Sequence, residues 1–573
     1  MRAQRRFAGV AGIVFAAVAA WQVAAVAAAL EGRVYLDANR NGCFDAGEAG
    51  VPNVPVSDGT RVSLTDRAGG YRLETAEAAA LVWVCLPRGH AASGKFWRAV
   101  EGGGREDFGL VPQAQTDDFA FVQISDAHVG RADLLAKFAG HLGRMPHPFA
   151  FVVNTGDLVG GVDTVPPEKA QAQYDRYLGA AAEFTVPLFN LPGNHEHVAF
   201  NSPNPDKAHP LYGKGLYRRV LGPTYYSWDW AGVHFVALDG TTLPYQERLG
   251  TNQLAWLAAD LEVQPPDRPV VLFCHQPLPD LRDAKELAGA LRGRRVLGAF
   301  CGHLHQTFTT RLGDIPVYLS GALSGSWWSG PNIDGTPQGF RLVRIKNGAL
   351  TTVFASREGD TPLSVVSPLA TAVQSGTIDV AVAVLDFGQP VAVAASFAGQ
   401  PVALTQASRE ELWSVWKGKV DTRQAFDGDR AVEITAKRGG AVGTFGIRYL
   451  VSNGRAEAYR ADAPATLKIQ VRGIDATDSV LFNGAPLGVI PAGTSNETTL
   501  AFAVSKELLA KMNRVTIRSE AQGKGRDLFS AGPVSLEYKG KRLHDLRYAS
   551  FERHTVVGDD PKRREKTLYY CLP

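Results

Sequence analysis

Five short segments of this 573-residue chain carry side chains suited to holding metal ions. They are Ser125-Asp126-Ala127-His128, Gly156-Asp157, Gly193-Asn194-His195-Glu196, Cys274-His275 and Gly302-His303-Leu304-His305. Together they supply several imidazoles, two or more carboxylates and one amide oxygen, a mixture that suits borderline divalent ions such as zinc, manganese or iron. Asp126 and His128 have one residue between them, as do His303 and His305; in extended structure that spacing points both side chains of a pair to one side. Cys43, Cys85, Cys274, Cys301 and Cys571 are scattered and contain no C-x-x-C pair, which excludes a cysteine zinc site and a disulfide scaffold. A single buried histidine is more often a hydrogen-bonded core residue than a ligand. The ordered recurrence of such residues is what carries the metal reading.

The elements that must position these residues are apolar runs at 119–124, 149–153, 187–191, 233–238, 270–273, 296–300 and 317–319, alternating with helical stretches. The pattern predicts an α/β domain over 118–356. In such sheets ligands gather beyond the carboxyl ends of strands, so the five segments are expected to converge on one crevice. Before this domain, 30–112 reads as a small β-sandwich-like module ending in a Gly102-Gly103-Gly104 linker. Beyond it, 364–573 reads as short strands with Gly, Asn and Asp turns, enough for one or two β-sandwiches.

The order D-x-H, G-D, G-N-H-[ED], H, G-H-x-H resembles the calcineurin-like metallophosphoesterase family over roughly 120–356. The resemblance implies a four-layer α/β sandwich and a binuclear, metal-dependent phosphoric ester hydrolase. It implies that Asp126, His128, Asp157 and His305 hold one divalent ion and that Asp157, Asn194, His275 and His303 hold the other, with Asp157 bridging. A pair of ions about 3.5–4 Å apart can hold a bridging hydroxide as nucleophile and clamp phosphoryl oxygens. His195 is then the catalytic residue that is not a ligand, placed beside the phosphate, where an imidazole of ordinary pKa about 6.5 can donate or accept a proton. Purple acid phosphatases, a related group, use D-x-G and a tyrosine ligand; here His128 and Gly160 take those places, so no iron–tyrosinate colour is expected. Glu196 stands where the family more often has Asp.

Other residues offer two readings each. Trp327 and Trp328, in Gly325-Ser326-Trp327-Trp328-Ser329-Gly330, either bind substrate or seal the interface to the C-terminal region, with Asp334-Gly335-Thr336-Pro337 following. His197 and His209 are expected in solvated loop, and Cys274 and Cys301 as small core residues. Tyr225-Tyr226-Ser227-Trp228 begins a strand and belongs to the core. Asp37, Asn39, Asn41, Asp45 and Glu48 match the spacing of a twelve-residue calcium loop, which favours a structural Ca ion over a merely polar turn. Cys43 and Cys85 could pair in an oxidising compartment. Gly89 to Phe96 lacks the hydroxyl that ends a phosphate-cradling loop and is rejected as a nucleotide site. Val480-Leu481-Phe482-Asn483-Gly484 and Asn513-Arg514-Val515-Thr516-Ile517 resemble strand edges of jelly-roll, carbohydrate-binding-like sandwiches.

Hydrophobic residues make up 45% of the chain and charged residues 20%, which excludes wholesale disorder. Residues 1–29, with Arg2, Arg5 and Arg6 ahead of an apolar, alanine-rich run, read as a cleaved signal peptide. Without it the basic and acidic residues balance at 57 each, which argues against a nucleic-acid coat. No later stretch is long and apolar enough to span a bilayer. The expectation is a periplasmic or secreted two-metal phosphoesterase acting on mono- or diesters of a small molecule or envelope component. The competing reading is a glycan- or surface-binding protein built on a catalytically silent scaffold.

Overall fold

The computed structural model describes residues 28–573 except 76–79, 101–103, 131–132, 329, 474–475, 494–496, 521–527, 544, 546–553 and 558–563. In the central unit the elements run β1 (Phe119–Ile124), α1 (Asp133–Leu142), β2 (Val152–Asn154), α2 (Pro167–Ala181), β3 (Leu188–Asn190), α3 (Gly215–Leu221), β4 (Tyr226–Trp230) and β5 (Val233–Leu238). They continue with α4 (Thr251–Glu262), β6 (Val270–Cys274), α5 (Ala284–Ala290), β7 (Val296–Cys301), β8 (Phe308–Leu312), β9 (Ile315–Leu319), β10 (Gly339–Lys346) and β11 (Ala349–Ser356).

Two sheets result, ordered β3-β2-β1-β10-β11 and β4-β5-β6-β7-β9-β8. The strands β1–β3 are mutually parallel, as are β5, β6, β7 and β9. They are largely apolar because both faces are covered. The odd residues Phe119 and Phe121 of β1 face the second sheet, where Phe121 meets Phe235, Phe273 and Phe300 with ring centroids 5.7, 5.9 and 6.0 Å away. The even residues Ala120, Val122 and Ile124 pack on Leu135 and Phe138 of α1 and on Tyr174 and Tyr177 of α2. Trp256, Leu257 and Leu261 of α4 and Leu287 of α5 join the core of the second sheet. The layers are helix, sheet, sheet, helix: the four-layer α/β sandwich.

The strands β8, β10 and β11 were not foreseen as buried runs. β10 interrupts its apolar residues with Arg341 and Arg344, both buried. Arg341 donates to Ser320 Oγ (2.8 Å) and to the Leu319 carbonyl (2.7 Å), while Arg344 pairs with Asp118 and Glu411.

The N-terminal module is a sandwich of a five- and a four-stranded sheet over Leu30, Val34, Val56, Leu73, Val84 and Phe108. Gly104–Arg105 pairs with Leu30 and Glu31, and Phe108–Pro112 pairs with the strand Ala28–Leu36, so the sheet continues past the expected linker. Residues 1–27 of the expected leader, and Gly102 and Gly103 of that linker, lie outside the described residues, whereas Ala28 and Ala29 pair with Thr75 and Glu74. Cys43 is exposed and Cys85 buried, and both are free, so the pairing considered from sequence is not made. The module is fused to the core: Leu86 bridges to Trp228, Tyr225 donates to the Gly59 carbonyl (2.7 Å), and Leu81, Trp83 and Trp97 share the central hydrophobic cluster.

The C-terminal region forms two sandwiches. In the first, the sheet containing Leu363–Ser367 and Thr377–Val384 packs on that containing Gly428–Arg438 and Ala441–Val451. The second spans the strands from Ala465–Arg472 to Glu565–Cys571 around its own core. Its strands Asp478–Phe482 and Met512–Arg518 pair. Leu385, Leu412 and Trp413 of the first sandwich pack into the layer that holds α1 and α2. Among the described residues no helix is long and apolar enough to cross a membrane.

Candidate metal centre

Each of the five segments begins where a central strand ends, and the turns that follow β1, β2, β3, β6 and β7 meet at one mouth. The pairs Asp126/His128 and His303/His305 do not share a side through extended alternation, as the spacing suggests. Asp126, His128, Asp157, His303 and His305 all adopt left-handed backbone, with φ of 53°, 42°, 52°, 70° and 50°. Such conformations are uncommon outside glycine and cluster at functional sites, held by the surrounding structure. Motif glycines allow the turns to nest: a Cβ on Gly193 would lie 2.2 Å from Asp157 Oδ1, and one on Gly302 would lie 1.7 Å from Ser125 Oγ.

The donor atoms form overlapping groups: Asp126, His128 and His305; Asp157, His275 and His303; and His128, Asp157 and His195. His305 Nε2 lies 3.2 Å from Asp126 Oδ1, and His275 Nε2 lies 3.2 Å from Asp157 Oδ2 and 3.1 Å from Asn194 Oδ1. The Nε2 atoms of His128 and His305 face each other at 3.4 Å. The second nitrogens are tied back, His275 Nδ1 to the Thr155 carbonyl (2.9 Å) and His305 Nδ1 to the Gly325 carbonyl (3.1 Å). Such ties fix the ring orientation of a metal-binding imidazole. Asp126 Oδ1 is buried without a hydrogen bond to any group.

The electrostatics call for cations. Burial pushes His128 down to about 3, leaving a neutral ligand. Burial opposes protonation of His275 as well, yet Asp157 and Asp126 push it up to about 10. Asp126 and Asp157 are likewise held below the usual carboxylate range against burial, chiefly by His305 and His275 for the first and by His275 for the second. Two carboxylates with imidazole nitrogens turned toward them form a donor set that fits divalent metal, whose binding would compete with protonation of the imidazoles.

His195 lines the same cavity, of about 190 Å³, with its Nε2 4.0 Å from Asp157 Oδ2. Its other nitrogen, Nδ1, stands 3.5 Å from Asp163 Oδ1, an ion-pair distance. Against burial, Asp163 and Asp157 hold the imidazole up to about 9. Asp163 sits on the turn Val162–Thr164 and accepts from Asn201 Nδ2 (2.8 Å). Nothing in its spacing marks it in the sequence.

Glu196 is fully buried and accepts four backbone N–H groups, from Asp157 (3.0 Å), Leu158 (2.8 Å), Val159 (3.2 Å) and Gly193 (2.6 Å). It binds the second segment to the third, and burial together with Asp157 pushes it up to about 7. His197 is not in solvated loop: it is buried, with Nδ1 3.1 Å from the Asn194 carbonyl and Nε2 3.4 Å from Thr241 Oγ1. His209 is half-buried and accepts from the Leu211 N–H (3.1 Å).

Trp328 is 49% exposed, adopts φ 63°, and places its ring 5.3 Å from His128 and 6.4 Å from His195. It roofs the cavity; the side chain of Trp327 lies outside the described residues. The loop beyond it is anchored by Asp334, which accepts from Thr307 N (2.5 Å) and Thr336 Oγ1 (2.6 Å), while Ala370 of the first sandwich donates to the Asp334 carbonyl (2.8 Å). Trp228 and Tyr226 are core, as expected.

In the N-terminal loop expected to hold calcium, Asp37 accepts from the N–H groups of Asn41 (3.1 Å) and Gly42 (2.9 Å). Asp45 accepts from the amides of Asn39 (2.7 Å) and Asn41 (2.8 Å), and Glu48 accepts from Ala38 N (2.9 Å) and Asp45 N (3.0 Å). These contacts draw Asn39, Asn41, Asp45 and Glu48 into one closed loop.

The sequence model of the calcineurin-like phosphoesterase family matches residues 119–307, and that of the family's N-terminal domain matches residues 38–112. The chain is 30% identical over 224 residues to a probable cyclic nucleotide phosphodiesterase of Rhodococcus erythropolis, covering 37% of this chain and 69% of that protein. It is 28% identical over 172 residues to the 3′,5′-cyclic adenosine monophosphate phosphodiesterase CpdA of Escherichia coli K12, covering 28% of this chain and 56% of the relative. A cAMP/cGMP dual specificity phosphodiesterase of Mycobacterium tuberculosis matches at 31% over 102 residues, 16% of this chain and 32% of its own length. Donor set, four-layer fold and matched residues agree, and this chain belongs to the calcineurin-like phosphoesterase family.

Proposed function

We propose that this protein is an exported, two-metal phosphodiesterase. The observation that carries the reading is the set of overlapping donor groups around Asp126 and Asp157 in one cavity. Asp126, His128, Asp157 and His305 would hold one divalent ion and Asp157, Asn194, His275 and His303 the other. Bound ions of this kind neutralise phosphoryl oxygens and activate water as the nucleophile. Asn194 supplies a neutral oxygen, which avoids adding negative charge where an anionic ester must enter. His195, kept protonated by Asp163, is aimed into the cavity, where its Nε2 can donate to the departing oxygen. Trp328 roofs the cavity and limits access of bulk water. Cleavage of diesters is favoured by the three relatives, which are named as cyclic nucleotide phosphodiesterases.

Assay of paired aromatic phosphate mono- and diesters after loading with manganese or zinc tests the reading, with Asp157→Asn alongside. Near two metals per chain, turnover of the diester and a fall of at least 100-fold in the variant are expected. No turnover with any metal, or equal turnover in the variant, would overturn it. Export is supported by the basic and apolar residues that open the sequence. The mass of the purified N-terminus checks it, an intact Met1 counting against cleavage.

A further inference from the structure

The catalytic cavity is smaller than the roughly 300–1,000 Å³ usual for sites that enclose a whole organic ligand. It can take the phosphoryl head and little more. His128 and Trp328, which form one of its walls, also line a second chamber of about 920 Å³. That chamber continues along Leu134 and Lys137 of α1, past Gly160, to Gln338 and Arg357. We propose that it holds the non-leaving arm of the substrate, and that this arm is an uncharged, hydroxyl-bearing ring system. The proposal rests on the phosphodiesterase reading and names its substrate class.

Three features define the class. Continuity through His128 and Trp328 puts the chamber within one bond or two of a phosphorus atom seated over the donor set. The walls offer a broad aromatic edge, an aliphatic side chain and the flat backbone at Gly160, which suit the face of a ring. The chamber's cations are already neutralised: Lys137 Nζ lies 2.7 Å from Asp133 Oδ2, and Arg357 Nη2 lies 3.0 Å from Glu358 Oε1. An anionic arm gains little from such pairs, whereas their outer donors and the Gln338 amide, itself held by Arg357 and by the Ser324 carbonyl, remain able to bind hydroxyl or carbonyl groups. A nucleoside and a glycosyl unit share this chemistry.

The test compares p-nitrophenyl phosphodiesters with a common leaving group and different second arms: methyl, thymidine, glucose, and thymidine carrying a further phosphate. The metal-loaded full chain should prefer thymidine or glucose over methyl by at least tenfold in kcat/KM, with no further gain from the added phosphate. Whichever ring is preferred identifies the source. Gly160→Leu should bring that ratio below threefold; a Cβ there meets only ordinary contacts with His128, at 3.6 Å or more, so the backbone tolerates it. Leu134→Trp, which fills the chamber from the helix, should do the same. A ratio near one in the parent, an unchanged ratio in both variants, or a tenfold preference for the phosphorylated arm would overturn the proposal. Turnover of no ester removes the phosphodiesterase reading instead. Calorimetry with thymidine and glucose then decides the chamber: binding lost in Gly160→Leu supports it, and no binding overturns it.

Discussion

Asp163 does not line the cavity, yet from 3.5 Å behind His195 Nδ1 it governs the charge on that imidazole. Replacing it by Asn should lower kcat by about 10- to 100-fold with KM within about twofold, in the range expected when general acid catalysis is impaired. The direction with pH follows from the pair. The carboxylate holds the imidazole up to about 9, so its loss lets the imidazole deprotonate at lower pH, and the alkaline limb of the kcat profile should move down. A limb that stays in place would assign it to another group. Glu196 carries a different burden, since four backbone N–H groups lose their acceptor in Glu196→Ala. Leaving buried donors unpaired costs about 1–3 kcal/mol per group, with partial relief from water entry, so a loss of about 3 kcal/mol or more is expected in urea unfolding.

Strands and helices are joined by a buried charge cluster on the side of the molecule away from the metal centre. His234 of β5 lies between Asp229 of β4 and Asp260 of α4, at 2.8 Å from each, and Arg268 Nη1 lies 2.6 Å from Asp229. Despite burial, Asp260 and Asp229 push the imidazole up to about 9. The folded pKa is raised, so this stabilisation is complete below the unfolded value of about 6.5 and is lost as pH rises through about 9. Each pH unit of displacement is worth about 1.4 kcal/mol, so on the order of 3 kcal/mol is at stake. The stability difference between the parent and His234→Gln, measured by denaturant titration, should shrink between pH 6 and 9.5; a constant difference would refute the assignment. The same elements show what the sequence makes visible. β1, β5, β6 and β7 are legible because each is a predominantly apolar run of five or six residues. β10 is not, because partners distant in sequence make Arg341 and Arg344 tolerable inside. The seven residues expected as ligands and His195 come together at one mouth, as their order suggests, but the left-handed turns that aim five of the seven were not legible, because tertiary support imposes that conformation against local preference. Asp163 and the burial of His197 depend on chain segments that only the fold brings near.

On the scale of the whole molecule, the N-terminal module shares its core with the central unit. Trp97 lies against Gly222, where an added Cβ would come within 2.4 Å of the indole nitrogen. Trp97→Ala should cost about 3–5 kcal/mol and lower the unfolding transition that the N-terminal module shares with the central unit rather than release a separately melting module, as scanning calorimetry would show. Added manganese or zinc should raise the same transition in proportion to the logarithm of free metal once binding is saturated, without changing the far-ultraviolet spectrum, because the donor turns are already built. The first C-terminal sandwich reaches the loop beyond the centre where Ala370 donates to the Asp334 carbonyl, and the Asp334 carboxylate accepts from Thr307 N and Thr336 Oγ1. The loop bearing Trp328 is therefore seated partly on a neighbouring sandwich, so the shape of the cavity roof depends on residues far from the donor set in sequence.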